Sequence, residues 1–128
     1  MSKFIALEGI DGAGKTNLAL FICEELRQQG FKVVHTREPG GTELAEQTRA
    51  MFLTNPEMSF KTQLLLINAG RNDHMEKVVR PALNSKAVVV SERSVLSCYA
   101  YQVHKKIDEQ DFDNIVSIIG QDVIPFKT

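Results

Sequence analysis

The feature that most constrains the fold is the eight-residue segment from Gly9 to Thr16, which reads GIDGAGKT. It matches the pattern GxxxxGK[ST], and it lies between a dense apolar run at 3–8 and a segment with helical apolar spacing. In such a loop, successive backbone N–H groups and a helix N-terminus surround phosphate oxygens. The sequence therefore predicts a phosphate-binding loop between a buried strand and a helix. This motif indicates nucleotide binding and leaves the acceptor open.

Each position of the loop has a predicted role. Lys15 is expected to bridge the outer phosphates of the nucleotide, and the Thr16 hydroxyl is expected to take a magnesium position. The residues assigned to the nucleotide phosphates are Gly9, Asp11, Gly12, Ala13, Gly14, Lys15 and Thr16.

Strand-like and helix-like segments alternate along the first half of the chain. A helix is predicted from Thr16 with Gly30 as its stop, and short strands are predicted at 3–8 and 32–36. Pro39 and its two following glycines indicate a loop, after which Thr42 can cap a helix. The residues expected on one side of that helix are Leu44, Thr48, Met51 and Phe52.

The second half begins with a longer helical pattern from Ser59 to about Leu83. Pro81 should kink or loosen its last turns, and Asn84 suits a left-handed cap. A buried strand is predicted at 86–91, followed by helices at about 94–103 and 108–119. The longer helix carries Leu64, Ile67, Arg71, Met75 and Val78 in its stripe, and the last one carries Phe112, Ile115, Val116 and Ile119.

This alternation predicts an α/β chain, with a parallel sheet covered by helices on both faces, in three layers. Residues 1–128 contain no linker or repeat, so a single domain is expected. Only three strands can be found, whereas sheets of this kind usually have about five. The sheet is therefore expected to be incomplete after the third strand and the helices that follow it.

Composition excludes several function classes. Fifteen basic and 16 acidic residues give a net charge of −1, which offers no electrostatic basis for a nucleic-acid partner. With 43% apolar residues the chain is not globally disordered, and no apolar run approaches the roughly 18–20 residues of a membrane span. The cytoplasm is the expected compartment. Cys23 and Cys98 lack metal-ligand spacing and are expected to be reduced, packed thiols.

Five segments in order carry a family resemblance. They are FIALEGIDGAGKT, TREPGGT, LLLINAGRNDH, the acid–Arg pair Glu92-Arg93 after a buried strand, and LSCYAYQ. Together they resemble the bacterial thymidylate kinases over nearly the whole chain. The resemblance implies a P-loop kinase fold with a five-stranded parallel sheet, transfer of a phosphoryl group from ATP to dTMP with Mg²⁺ as cofactor, and a homodimer.

The resemblance also implies site residues. Lys15, Glu92 and Arg93 would be catalytic, and Thr16 and Glu92 would hold the metal. Glu92 stands where the family usually has aspartate, and Ile67 where an aromatic residue commonly stacks on thymine. The acceptor would be bound by Asp11, Arg37, Pro39, Arg49, Ile67, Arg71, Arg93, Ser97, Tyr101 and Gln102.

For two of these residues the sequence leaves open a structural role in place of acceptor binding. Arg37 could form a structural salt bridge with Glu38 or another acid, and Arg49 could be an exposed helical arginine.

The resemblance ends near Pro125 to Thr128, where family members enter a fourth strand followed by an arginine-bearing lid and the adenine-binding segment. The chain is therefore expected to be C-terminally incomplete: a fragment, a proteolysed form, or one piece of a swapped or two-chain assembly. Two other functions remain open: a P-loop kinase for another deoxynucleoside monophosphate, and an inactive, truncated nucleotide-binding module.

Overall fold

The computed structural model describes residues 3–7, 14–93 and 109–119. The predicted helix at about 94–103 lies outside them, as do Gly9, Asp11, Gly12, Ala13, Ser97, Tyr101 and Gln102. In chain order the elements are β1 (Lys3–Leu7), α1 (Lys15–Gln28), β2 (Val33–Arg37), α2 (Glu43–Thr54), α3 (Phe60–His74), a π-helical segment (Met75–Val79), α4 (Arg80–Asn84), β3 (Val88–Glu92) and α5 (Glu109–Ile119).

The three strands form a parallel sheet in the order β1-β3-β2, which confirms the predicted α/β class. β3 is central, and Val88, Val89, Val90 and Ser91 are all buried. Consecutive β-branched residues favour an extended strand, and their burial on both faces is typical of a parallel sheet between helices.

Helices cover both faces of this sheet. On one face, Ala19 and Cys23 of α1 pack against Val88 and Val90. On the other, Ala82 of α4 packs against Val89. Cys23 is buried, as predicted, and burial raises the pKa of its thiol, whereas Cys98 lies outside the described residues.

The strand bounds differ slightly from the prediction. Lys86 adopts a left-handed conformation with φ 65°. Pairing therefore begins at Val88, whose N–H donates to the Lys32 carbonyl oxygen at 2.8 Å. β3 therefore begins two residues later than expected, and β2 lies one residue later than expected. Gly30, with φ 92°, follows the end of α1 as predicted.

In α2 the Thr42 cap is confirmed, because its side chain accepts a hydrogen bond from the Ala45 N–H at 3.1 Å. The predicted apolar face is partly wrong. Ala45 and Thr48 are buried, whereas Leu44 is 43% and Met51 51% exposed. The buried face is built from small residues because α2 packs closely on α3.

The predicted helix from Ser59 to Leu83 is one right-handed run from α3 through the π-helical segment to α4. The wider turn lies just before Pro81, which lacks the N–H that a regular turn needs. Because of this wider turn, the buried residue that follows Met75 is Val79, and not Val78 as predicted. Asn84 was wrongly expected in the left-handed position, which Lys86 takes.

The described helices include none with the length and apolar character that crossing a bilayer would require.

The contact between α2 and α3 yields a stability prediction. A Cβ at Gly70 would collide with Thr48 Oγ1 and lie 3.0 Å from Ala45 Cα. Overpacking costs about 1–3 kcal/mol, while alanine gains up to about 1 kcal/mol of helix propensity over glycine. We expect Gly70→Ala to lower the free energy of unfolding by about 1–2 kcal/mol in urea titrations.

The matched control is Ala69→Leu, which adds atoms to the exposed neighbouring position and should change stability by less than about 0.5 kcal/mol. A Gly70→Ala protein as stable as its parent would contradict the close packing of α2 on α3.

Candidate functional site

The carboxyl ends of the three strands meet at one edge of the sheet. Leu7 and Arg37 both lie opposite Glu92 in the parallel register. Two backbone hydrogen bonds continue the pairing past the strands: Glu38 N–H donates to the Glu92 carbonyl at 2.9 Å, and Arg93 N–H donates to the Leu7 carbonyl at 2.8 Å. The segments that follow each strand therefore converge, at the edge where ligands bind in open α/β sheets.

A cavity of ≈ 470 Å³ lies at this edge. Its volume suits a small-molecule ligand. Among its lining residues one lysine and three arginines stand against two glutamates, a balance that favours anions. The cavity is lined by Gly14, Lys15, Thr16, Asn17, Arg37, Glu38, Pro39, Arg49, Glu92 and Arg93.

The start of α1 forms one wall. Gly14 precedes the helix in a left-handed conformation, with φ 84°, which glycine adopts without steric cost. Lys15 and Thr16 then lie in the first turn, whose backbone N–H groups point toward the N-terminal end of the helix. This is the geometry expected of the end of a phosphate-binding loop, of which only Gly14 to Thr16 are described.

Glu92, at the end of β3, connects the start of α1 with β2. Its carboxylate accepts a hydrogen bond from Thr16 Oγ1 at 2.6 Å, and its second oxygen lies 2.7 Å from His35 Nε2. Burial alone would raise the pKa of Glu92, but the hydrogen bonds from Thr16 and His35 outweigh it and hold that pKa below its ordinary value. The carboxylate is therefore ionised at neutral pH.

Arg93 follows Glu92 with φ 72°. For a residue other than glycine this conformation costs about 1–2 kcal/mol. It is held by the hydrogen bond from its N–H to Leu7 and by Ser91 Oγ, which donates to the Arg93 carbonyl at 2.6 Å. Such strain is characteristic of functional sites, and here it turns the chain at the cavity wall.

Arg37 forms the salt bridge that the sequence left open, but with Glu46 of α2 rather than Glu38. Arg37 Nε and Nη2 donate to the two oxygens of Glu46 at 2.9 and 2.7 Å. This hydrogen bonding lowers the pKa of Glu46. A Cβ at Gly40 would collide with the same carboxylate, so the loop after Pro39 can approach it only with glycine.

Arg71 lies behind the cavity wall. Its guanidinium Nε is 3.3 Å from Oε1 of Glu38, which lines the cavity, and both side chains are nearly fully buried. His74 Nδ1 lies 3.7 Å from the same Glu38 oxygen. Arg71 Nη1 is buried and has no hydrogen-bond partner among the described residues. Ile67, one turn earlier, is half-buried and is not among the cavity-lining residues.

The structure thus brings together Lys15, Thr16, Arg37, Pro39, Arg49, Glu92 and Arg93, and it places Arg71 and Ile67 outside the wall itself. Sequence reasoning missed His35 and Glu46. The alternation of side chains along a strand places His35 on the face of Arg37, but only the strand order shows that Glu92 is its neighbour.

A metal would have to be held jointly by protein and ligand. No group of three or more histidine, cysteine or acidic side chains within residues 3–7, 14–93 and 109–119 is placed to hold one. The Thr16 hydroxyl and the Glu92 carboxylate are instead two oxygen donors beside the predicted phosphate site. This arrangement fits Mg²⁺, which is usually bound by one or two protein oxygens together with substrate phosphates and water.

Comparisons with known proteins agree with this geometry. The family model described as thymidylate kinase matches residues 7–120. A thymidylate kinase of Acinetobacter baumannii (strain AYE) is 47% identical over 111 residues, covering 84% of this chain and 56% of the relative. One from Thiobacillus denitrificans is 50% identical over 100 residues, covering 78% and 48%. The chain therefore spans about half the length of the curated relatives it matches.

A solved structure gives the same result at the level of fold. The crystal structure of thymidylate kinase from Ehrlichia chaffeensis superposes with a TM-score of 0.87 and 36% sequence identity. The match covers 97% of this chain and 67% of the other.

The Arg37–Glu46 ion pair yields a pH prediction. Because the folded pKa of Glu46 is depressed, the pair stabilises the fold above the unfolded pKa, about 4.3 for glutamate, and this contribution is lost as the pH falls through the folded pKa. The pair is more than a third exposed, so we expect Glu46→Gln to lose no more than about 1 kcal/mol at pH 7.

Urea unfolding of parent and Glu46→Gln between pH 3 and 7 measures the effect, and the difference between them should shrink toward zero at the acidic end. Glu57→Gln is the control, since Glu57 is exposed and forms none of the salt bridges found among the described residues. A difference that grows on acidification would contradict the assignment.

Proposed function

The chain belongs to the thymidylate kinase family, and from that premise we propose that it transfers the terminal phosphoryl group of ATP to dTMP, giving dTDP for dTTP synthesis. The single observation that carries this proposal is the shared cavity, in which the first turn of α1 faces the ends of β2 and β3. A phosphate donor bound at α1 and a phosphate acceptor bound at the arginines would approach each other inside this cavity.

The donor side consists of Lys15 and Thr16. The Lys15 ammonium would neutralise charge on the outer phosphates, which is the main task of catalysis in phosphoryl transfer. The proposed loop also includes four residues that lie outside the described ranges: Gly9, Asp11, Gly12 and Ala13. Mg²⁺, when held by Thr16 and Glu92 with the nucleotide, supplies further neutralisation of the phosphate charge.

The acceptor side consists of arginines on three different elements. Arg37 ends β2, Arg49 lies on α2 and Arg93 follows β3. Glu46 accepts hydrogen bonds from Nε and Nη2 of Arg37. Arg37 Nη1 has no hydrogen bond among the described residues, so this donor can meet an acceptor phosphate. Asp11, Pro39, Ser97, Tyr101 and Gln102 complete the proposed acceptor site.

Arg71 and Ile67 are proposed to contact the acceptor base from α3. The buried Nη1 of Arg71 is a hydrogen-bond donor still to be satisfied, and a base carbonyl would satisfy it. Ile67 can offer only an aliphatic surface. That observation favours, as a second candidate, a kinase for another deoxynucleoside monophosphate.

The reaction is proposed to occur in the cytoplasm, in a homodimer. Leu44 and Met51 lie two turns apart on one exposed face of α2 and offer an apolar contact surface. Sedimentation velocity distinguishes a 14.3 kDa monomer from a species of twice that mass.

The activity prediction uses a pair of lysine variants. Lys15→Met removes the charge at the start of α1, whereas Lys32→Met removes one at the opposite edge of the sheet, before β2. We expect dTMP-dependent ADP formation from Mg²⁺-ATP to fall by about 100-fold or more in Lys15→Met, and to change by less than about 2-fold in Lys32→Met.

The same assay compares dTMP with dUMP, dCMP, dAMP, dGMP and no acceptor. Preference for an acceptor other than dTMP would select the second candidate. ADP formation that is independent of any acceptor, or equal in the two lysine variants, would contradict the kinase proposal. Absence of turnover while dTMP still raises the melting temperature would favour a nucleotide-binding module.

A further inference from the structure

Glu92 is anchored by side chains from two separate elements. One carboxylate oxygen accepts from Thr16 on α1, and the other lies 2.7 Å from His35 Nε2 on β2. An ionised carboxylate can only accept, so the imidazole Nε2–H is the donor. Thr16 and Glu92 have roles in the proposed phosphoryl transfer, whereas His35 has none.

The fold gives His35 a fixed place. Side chains two residues apart on a strand share a face, so His35 shares its face with Val33 and with Arg37. Val33 packs into the apolar cluster beneath α1, and Arg37 lines the cavity. His35 therefore lies at the boundary between core and site, and its side chain is 24% exposed beside that of Glu92 at 17%.

The two anchors of Glu92 are not equivalent. The Thr16 hydroxyl is one of the two oxygens expected beside a magnesium nucleotide, so its position depends on the ligand even though its O–H can still donate to Glu92 while a lone pair binds the metal. A glutamate side chain has three rotatable bonds, so a carboxylate without a second anchor would rotate away. His35 is not among the cavity-lining residues, so its contact with Glu92 does not have to change when a nucleotide binds.

We propose that His35 is a positioning residue: its Nε2–H fixes one oxygen of Glu92, so that the other stays directed toward Thr16 and the magnesium nucleotide. The inference rests on the proposed function for the identity of that ligand. It does not depend on the acceptor or on turnover.

The test replaces His35 by two side chains of similar size. His35→Gln keeps an N–H donor at comparable reach, and His35→Leu removes it. Val33→Ala is the control for a merely structural effect, because it removes packing from the same strand two residues away, in the cluster below. Each protein is titrated with Mg²⁺ at fixed ADP, and the rise in melting temperature above that with ADP and EDTA is recorded.

We expect His35→Leu to raise the Mg²⁺ concentration for half-maximal stabilisation by about 10-fold or more, as is typical when a hydrogen bond that orients a metal ligand is lost. His35→Gln should stay within about 3-fold of the parent, and Val33→Ala should melt earlier without a change in Mg²⁺ dependence. An unchanged midpoint in His35→Leu, an equal change in Val33→Ala, or no Mg²⁺-dependent stabilisation of the parent protein would overturn the proposal. ADP is the only nucleotide in this experiment, so its result does not depend on dTMP turnover. A failure of this inference can therefore be distinguished from a failure of the proposed function.

Discussion

The site depends on the parallel pairing of β3 with both of its neighbours. That register places Leu7, Glu92 and Arg37 side by side at one edge. Each strand is followed by a different segment of the candidate site: β1 by the predicted phosphate-binding loop, β2 by the loop at Pro39, and β3 by Arg93. A slip of one residue would turn every strand side chain to the other face of the sheet. The buried run from Val88 to Ser91 opposes such a slip because both of its faces are packed.

A second constraint is electrostatic. Four cations line one cavity, and placing them together without partners would cost free energy through mutual repulsion. Acids hold two arginines at fixed positions: Glu46 binds Arg37 in the cavity wall, and Glu38 binds Arg71 behind it. The result is a set of oriented donors around a cavity that favours anions, which suits a reaction whose catalysis consists mainly of positioning and charge neutralisation.

Much of this could be predicted from the sequence because the signals are local. The GxxxxGK[ST] spacing, the valine run of β3 and the Thr42 cap each depend on a few neighbouring residues, and the structure confirms the strand and helix assignments within the described residues and the Thr42 cap. The missing N–H of Pro81 predicted a kink or loosening of the last turns, and the structure has a π-helical segment just before this proline. The left-handed position was wrongly given to Asn84, because the helix ends one residue later than the pattern indicated and Lys86 makes the turn.

What could not be predicted involves pairs of residues distant along the chain. Arg37 was expected to meet a phosphate or an acid, yet Glu46 could be identified only once α2 was placed against the end of β2. His35 carried no motif, and its contact with Glu92 follows from the strand order. Arg71 stood out as an arginine in an apolar stripe, but its burial against Glu38 depends on how α3 approaches the sheet.

The proposed function requires donor and acceptor phosphates to meet at this single edge. The most direct measurement is a crystal structure of the chain with ADP, Mg²⁺ and dTMP. We expect the ADP β-phosphate at the N–H groups of Lys15 and Thr16, and the dTMP phosphate within hydrogen-bond distance of Arg37 or Arg93. A dTMP phosphate bound away from these arginines, or ADP away from the first turn of α1, would contradict it.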